Sequence, residues 1–178
     1  MRKLAFAALL LLPVCAVRSG FGQQMTGATL AQFNAALHSV TANEAQWHKL
    51  IETVNIEGLP ISYAEGKQLE QNKTIVRQDL DMVVLWATAV AKDKNSLYDE
   101  VNFMSAIQEL ESQLEQFADL LLSEAPTDAA SVKKVSGWST DLTTLATGPV
   151  NDIWKISFIY ATNHARQLDL TCEPRSTR

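Results

Sequence analysis

The stretch FMSAIQELESQLEQFADLL, Phe103 to Leu121, decides the fold. Its large apolar residues Phe103, Ile107, Leu110, Leu114, Phe117 and Leu121 step by 4, 3, 4, 3, 4. An α-helix turns once in about 3.6 residues, so such steps keep these side chains on one stripe. Glu and Gln fill the positions between them, as a face turned to water requires. A half-buried strand would alternate at every second residue, and this stretch does not. The seam is like that of a coiled coil but short, which predicts a helix packed inside a domain.

The same rhythm runs outward in both directions. Upstream, Leu30, Phe33, Leu37, Val40, Glu44, Trp47, Ile51 and Val54 form one stripe that ends at Gly58 and Pro60. Ser62 followed by Glu65 predicts a capping box, in which hydroxyl and carboxylate satisfy free amides at a helix start. The next stripe is Leu69, Lys73, Val76, Leu80, Val83, Ala87 and Val90. Apolar residues spread round most of the helix over Met82–Ala91, which predicts its most buried part. Lys92 to Asn95 make a turn, and Ser96 with Asp99 predicts a second, weaker cap. Downstream, Ala125-Pro126-Thr127-Asp128 breaks the chain, with Thr127 expected as the N-cap. Val132, Val135, Trp138, Leu142 and Leu145 follow. Gly148-Pro149 predicts a break, since glycine ends helices and proline begins them. A last helix would bury Trp154, Phe158, Ala161, Ala165 and Leu168.

Long amphipathic helices joined by short linkers become antiparallel neighbours. The expected fold is therefore all-α: an up-and-down antiparallel bundle of four to five helices over residues 23–172. Residues 173–178 are expected to form a disordered tail. Whether residues 128–170 make one helix kinked at Pro149 or two that change direction stays open, with a real break favoured.

The chain opens with Arg2 and Lys3, an apolar run from Leu4 to Val17, and a stretch holding Arg18, Ser19, Gly20 and Gly22. That order is expected of a secretory signal peptide over residues 1–22. The run is shorter than the roughly 20 residues a membrane span needs. Val14 before Cys15 argues against lipidation, because lipoprotein signals place a small residue there. The expected protein is exported, periplasmic or extracellular, with no transmembrane span in the mature chain. Residues 1–22 hold three of the 15 basic residues and none of the 20 acids, so the remainder has 12 basic residues and a formal charge of −8. An acidic chain without a basic cluster is ill suited to a phosphate backbone, and nucleic acid is not expected as a partner. Cys172 alone remains, so no internal disulfide supports the fold.

Two charged residues interrupt the first two stripes. A tight hairpin near Leu59-Pro60 would place residues at equal height when their numbers total about 119, which sets Glu44 near Lys73. The expected arrangement is a structural polar layer of Glu44, His48, Asn72 and Lys73 that fixes helix register. No catalytic residues, metal ligands or cofactor are expected. His38, His48 and His164 are scattered and read as boundary residues. No zinc spacing, phosphate loop, haem-attachment motif or nucleophile elbow is present. The Asn72-Lys73-Thr74 acceptor pattern lies in mid-helix and is discounted. Trp47, Trp86, Trp138 and Trp154, one on each expected helix but the third, are core filler or, in a sharper reading, a ligand groove.

The expected function is binding or scaffolding without catalysis, towards an unidentified protein or small ligand. One alternative is a cofactor- or metal-binding bundle using Glu44 and His48, with Met82 or Met104 available as axial haem ligands. Another is a helical protein that docks on a membrane surface or forms a homo-oligomer.

Overall fold

A computed structural model describes residues 30–124 and 128–171. The expected signal peptide, Cys15, Thr127, Cys172 and the tail after it lie outside the described residues. All regular elements among the described residues are helical. They are α1 (Leu30–Glu52), a 3-10 turn (Ile56–Gly58), α2 (Tyr63–Lys92), α3 (Leu97–Ser123), α4 (Ala129–Leu145), a π turn (Ala146–Val150) and α5 (Asn151–Thr171). α1 packs on α2 and α5, α2 on α3, and α3 along α4, the π turn and α5 together. The chain is thus a helical bundle whose fourth rod is α4 and α5 in succession.

The α3 seam forms the bundle axis. Phe103, Ile107, Leu110, Leu114, Phe117 and Leu121 are each no more than 1% exposed. Burying side chains of this size is worth about 1.5–3 kcal/mol apiece, which outweighs the modest helix propensity of the stretch. The inner stripe of α2 is equally dry, from Leu69 to Val90, apart from Lys73. The caps form as their residues require. The Glu65 amide donates to Ser62 Oγ at 3.3 Å, and the Ser62 amide donates to Glu65 Oε2 at 2.6 Å. The Asp99 amide donates to Ser96 Oγ at 3.2 Å, without the reciprocal bond. Asp128, rather than Thr127, is the N-cap of α4, its carboxylate accepting from the Ser131 amide at 2.9 Å.

The favoured break at Gly148-Pro149 does not occur. The backbone stays helical through it, and Asn151 N–H bonds to the Ala146 carbonyl five residues back. Proline has no amide to donate and its ring crowds the carbonyl four residues earlier. Widening one turn relieves both problems while α3 holds the two halves in line. Upstream of it, the Thr140, Thr144 and Thr147 hydroxyls donate to the carbonyls of Ser136, Thr140 and Thr143 at 2.7–2.8 Å, which satisfies them within the helix.

Two further expectations are corrected. α5 buries Ala161 as expected, but beside Ile153 and Ser157, while Trp154, Phe158 and Ala165 are half-buried and Leu168 is 41% exposed. Ser157 fits the interior because its hydroxyl donates to the Ile153 carbonyl at 2.7 Å. Met82–Ala91 is as buried as any stretch of α2, with Val83, Ala87 and Val90 in the core and Val84, Trp86 and Ala89 half-buried, although its burial is not all round: Met82 is 42% and Leu85 55% exposed. Bulky apolar residues on two sides of a helix exceed what one seam can cover. The first hairpin is also not tight. The cross-helix pairs Lys73–Glu52, Arg77–Glu52 and His48–Asp81 have residue numbers totalling 125–129. Residues 53–62 run on past the end of α1, burying Val54, Ile56 and Leu59, before α2 turns back.

Candidate functional site

The only buried charged group among the described residues is Glu100, in the first turn of α3 and 1% exposed. Both of its carboxylate oxygens lie 2.9 Å from Nδ1 of His164 on α5. With Glu100 ionised, Nδ1–H is the pair's donor, which sets the ring tautomer and leaves Nε2 as the second nitrogen. Glu100 lies in the first turn of α3, where a carboxylate is favoured by the local helix dipole.

Aromatic rings close this end of the bundle. Phe33 of α1 stacks on Tyr160 of α5 with centroids 4.2 Å apart and planes 10° apart. Its other side meets the edge of Phe103 at 6.2 Å. The Tyr160 ring lies 6.2 Å from that of His164. Burial pushes the Glu100 carboxyl above its ordinary range, against the stabilising contact of His164. Burial and the Glu100 charge push the Tyr160 hydroxyl up as well. Two further titratable groups, His164 and Tyr160, therefore lie around a single buried carboxylate. An oriented imidazole beside a carboxylate can hold or move one proton; two such residues alone do not make a metal centre.

The anticipated polar layer is not brought together. Lys73, 12% exposed in its side chain, donates to the Val54 carbonyl at 2.9 Å and pairs with Glu52 at 3.1 Å. His48 Nε2 lies 3.1 Å from Asp81 Oδ1. Asn72 donates to the Gln68 carbonyl of its own helix at 3.0 Å. Glu44 is half-buried. The longer first connection moved α2 along α1 by several residues, which takes Lys73 away from Glu44 and down to the end of α1. Among the described residues no set of three or more His, Cys, Asp or Glu converges as metal ligands do.

The four tryptophans occupy separate surroundings. Trp47 is in the core beside Val40, Val83 and Ile107. Trp86 meets the edge of Tyr98 at 6.0 Å, and Trp154 stacks on Phe158 at 5.4 Å. Trp138 packs half-buried against the core. A second polar region lies where α3 faces the start of α5. Burial, with the Glu115 charge, holds the Glu111 carboxyl above its ordinary range, opposed by a hydrogen bond from Asn151. Asn151 Oδ1 and Trp154 Nε1 are buried there without a hydrogen-bond partner among the described residues.

The Glu100–His164 pair was missed by pattern, though a signal for half of it existed. Stepping three residues back from Phe103 along the seam reaches Glu100, just as Glu44 interrupts the first stripe. His164 gave no such signal, because bulky Trp154, Phe158 and Leu168 draw the expected face of α5 away from it.

Among the described residues no helix is long and apolar enough to cross a membrane. Comparison with known proteins yields no matching family model, no matching curated protein and no matching solved structure, so the geometry alone carries the functional reading.

Proposed function

We propose that the protein is an exported helical-bundle module that binds a partner helix and performs no catalysis. The observation that supports this is a second seam on the outside of α2. Gln71, Ile75, Gln78, Met82 and Leu85 step by 4, 3, 4, 3, carry no charge and are all exposed. The half-buried Trp86 and the 71% exposed Tyr98 continue the apolar surface onto α3, where Val101 is also exposed. Exposed apolar residues scattered singly need no explanation, but a row at helical spacing is what an amphipathic helix recognises. The strip spans about 20 Å at 1.5 Å per residue, a length that a helix of four turns covers.

The test replaces Met82 by a photo-crosslinking residue in the full chain, expressed in its own host. The expected result is a discrete adduct that disappears when Ile75→Lys and Leu85→Lys are added. Adducts no different from those at exposed Asp119 would contradict the reading, and an adduct of twice the chain mass would identify a second copy as the partner. Metal analysis and an absorption spectrum of the same preparation decide the rival: bound metal or a Soret band would favour a cofactor bundle.

A further inference from the structure

We infer that the Glu100–His164 pair is a proton-dependent latch that holds the α1-start, α3-start and α5-end of the bundle together in acid and loosens as pH rises. The geometry supplies the parts. Glu100 is buried, its two oxygens meet one imidazole nitrogen at 2.9 Å, and the Tyr160 ring that stacks on Phe33 lies 6.2 Å from that imidazole. The latch thus joins α3 to α5, and the Phe33–Tyr160 stack passes the constraint to α1. The groups whose charge reaches Glu100 are His164 and Tyr160, both on α5. α1 presents the Phe33 ring, and α2 brings buried Ala87 and Val90 to this end.

Among the described residues no second cation reaches the carboxylate. Protonated Glu100 is neutral and still accepts Nδ1–H through its carbonyl oxygen, so the closed end tolerates it. Ionised Glu100 places a negative charge in the interior with one imidazole as its hydrogen-bond partner, which is costly to bury. The sign follows by linkage. A carboxyl raised by burial binds its proton more tightly in the closed state than in the open one. Its contribution to closure is complete below the ordinary carboxylate value and is lost as pH rises through the closed-state value. This is opposite to an exposed cap or surface ion pair, whose carboxylate is depressed and which acid weakens. The device does not depend on the α2 seam, so it stands or falls separately from the partner reading.

Amide hydrogen exchange of the full chain, corrected for intrinsic rates and followed from pH 4 to pH 8, tests it. Protection over residues 30–37 and 158–168 is expected to fall by up to about tenfold per pH unit within the window above the ordinary carboxylate value. Protection at the opposite end, around Leu69 and Leu121, should not share that slope. Glu100→Gln keeps the acceptor and removes the titration, and is expected to flatten the dependence. The same slope in Glu100→Gln, or protection that falls on acidification in the wild type and not in the variant, would overturn the latch. Should Glu100→Gln fail to fold, the carboxyl carbon of Glu100 in the wild type is followed by NMR. A titration midpoint above the ordinary carboxylate range supports the latch, and a midpoint below it refutes it.

Discussion

Lys73 of α2 closes the end of α1: its Nζ lies 2.9 Å from the Val54 carbonyl and 3.1 Å from the Glu52 carboxylate. A lysine on an otherwise apolar stripe thus finds its partners on a neighbouring element. Cations are favoured at the C-terminal end of a helix, where carbonyls lack amide donors. Lys73→Met should cost about 1–3 kcal/mol in urea denaturation, because a buried carbonyl loses its donor. Glu44→Leu should add to that loss independently, within about 0.5 kcal/mol, since the two side chains are not partners. A coupling beyond that would restore the layer that the structure does not bring together.

Gly137 in α4 and Gly148 in the π turn sit where a Cβ would meet no atom within 4 Å. Neither position needs a left-handed backbone, but Gly148 precedes Pro149, whose Cδ crowds a Cβ on the helical residue before it. Gly137→Ala should raise stability by about 0.4–1 kcal/mol, read as an upward shift in the thermal midpoint. Gly148→Ala should gain less or lose stability, and an equal gain there would contradict that crowding.

Leu110 and Trp154 should respond differently to truncation. Leu110 is 1% exposed on the α3 seam, and Leu110→Ala should cost about 2–5 kcal/mol. Trp154 has a buried Nε1 without a hydrogen-bond partner among the described residues, so Trp154→Phe removes an unsatisfied donor along with some volume. Its cost should stay under about 1.5 kcal/mol in the same denaturation experiment, as for a tolerated apolar exchange. A loss as large as that of Leu110→Ala would show that Nε1 has a partner in solution.

Acid should act on the helix caps in the direction opposite to Glu100. Hydrogen bonds from Ser62 depress the Glu65 carboxyl, and those from Ser131 depress that of Asp128. Each therefore supports its helix above the ordinary carboxylate range and ceases to as pH falls through the depressed value. Glu65→Gln and Asp128→Asn should each reduce the loss of stability seen on acidification below about pH 4. Unchanged acid curves in both variants would contradict the cap geometry.

The bundle was legible because four of its stripes are built from large apolar residues at helical spacing. Every apolar member of the Leu69–Val90 and Phe103–Leu121 stripes is buried. Legibility failed where size misleads. On α5 the buried face holds small Ser157 and Ala161, and larger Trp154 and Phe158 sit at its border. It failed again where a connection adds length: the stripe predicts a first helix through Val54 and a bend near Leu59-Pro60, yet the helix ends at Glu52 and residues 53–62 shift the cross-helix pairs of His48, Glu52, Lys73 and Asp81. Pro149 read as a stop because local chemistry favours one, whereas packing along α3 keeps the rod continuous. Glu100 lay in register with its seam, but a pair needs both members, and His164 belongs to the helix whose phase was misread.

The central claim is that Glu100 and His164 depend on each other inside the bundle, and a double-mutant cycle measures this directly. Glu100→Leu, His164→Leu and the double variant are compared with the wild type by chemical denaturation at neutral pH. Removing His164 alone strands a buried carboxylate and should cost about 3–5 kcal/mol, whereas the double variant should be close to neutral or more stable. A coupling of at least about 2 kcal/mol is the predicted result; single losses that add to within about 0.5 kcal/mol would contradict it.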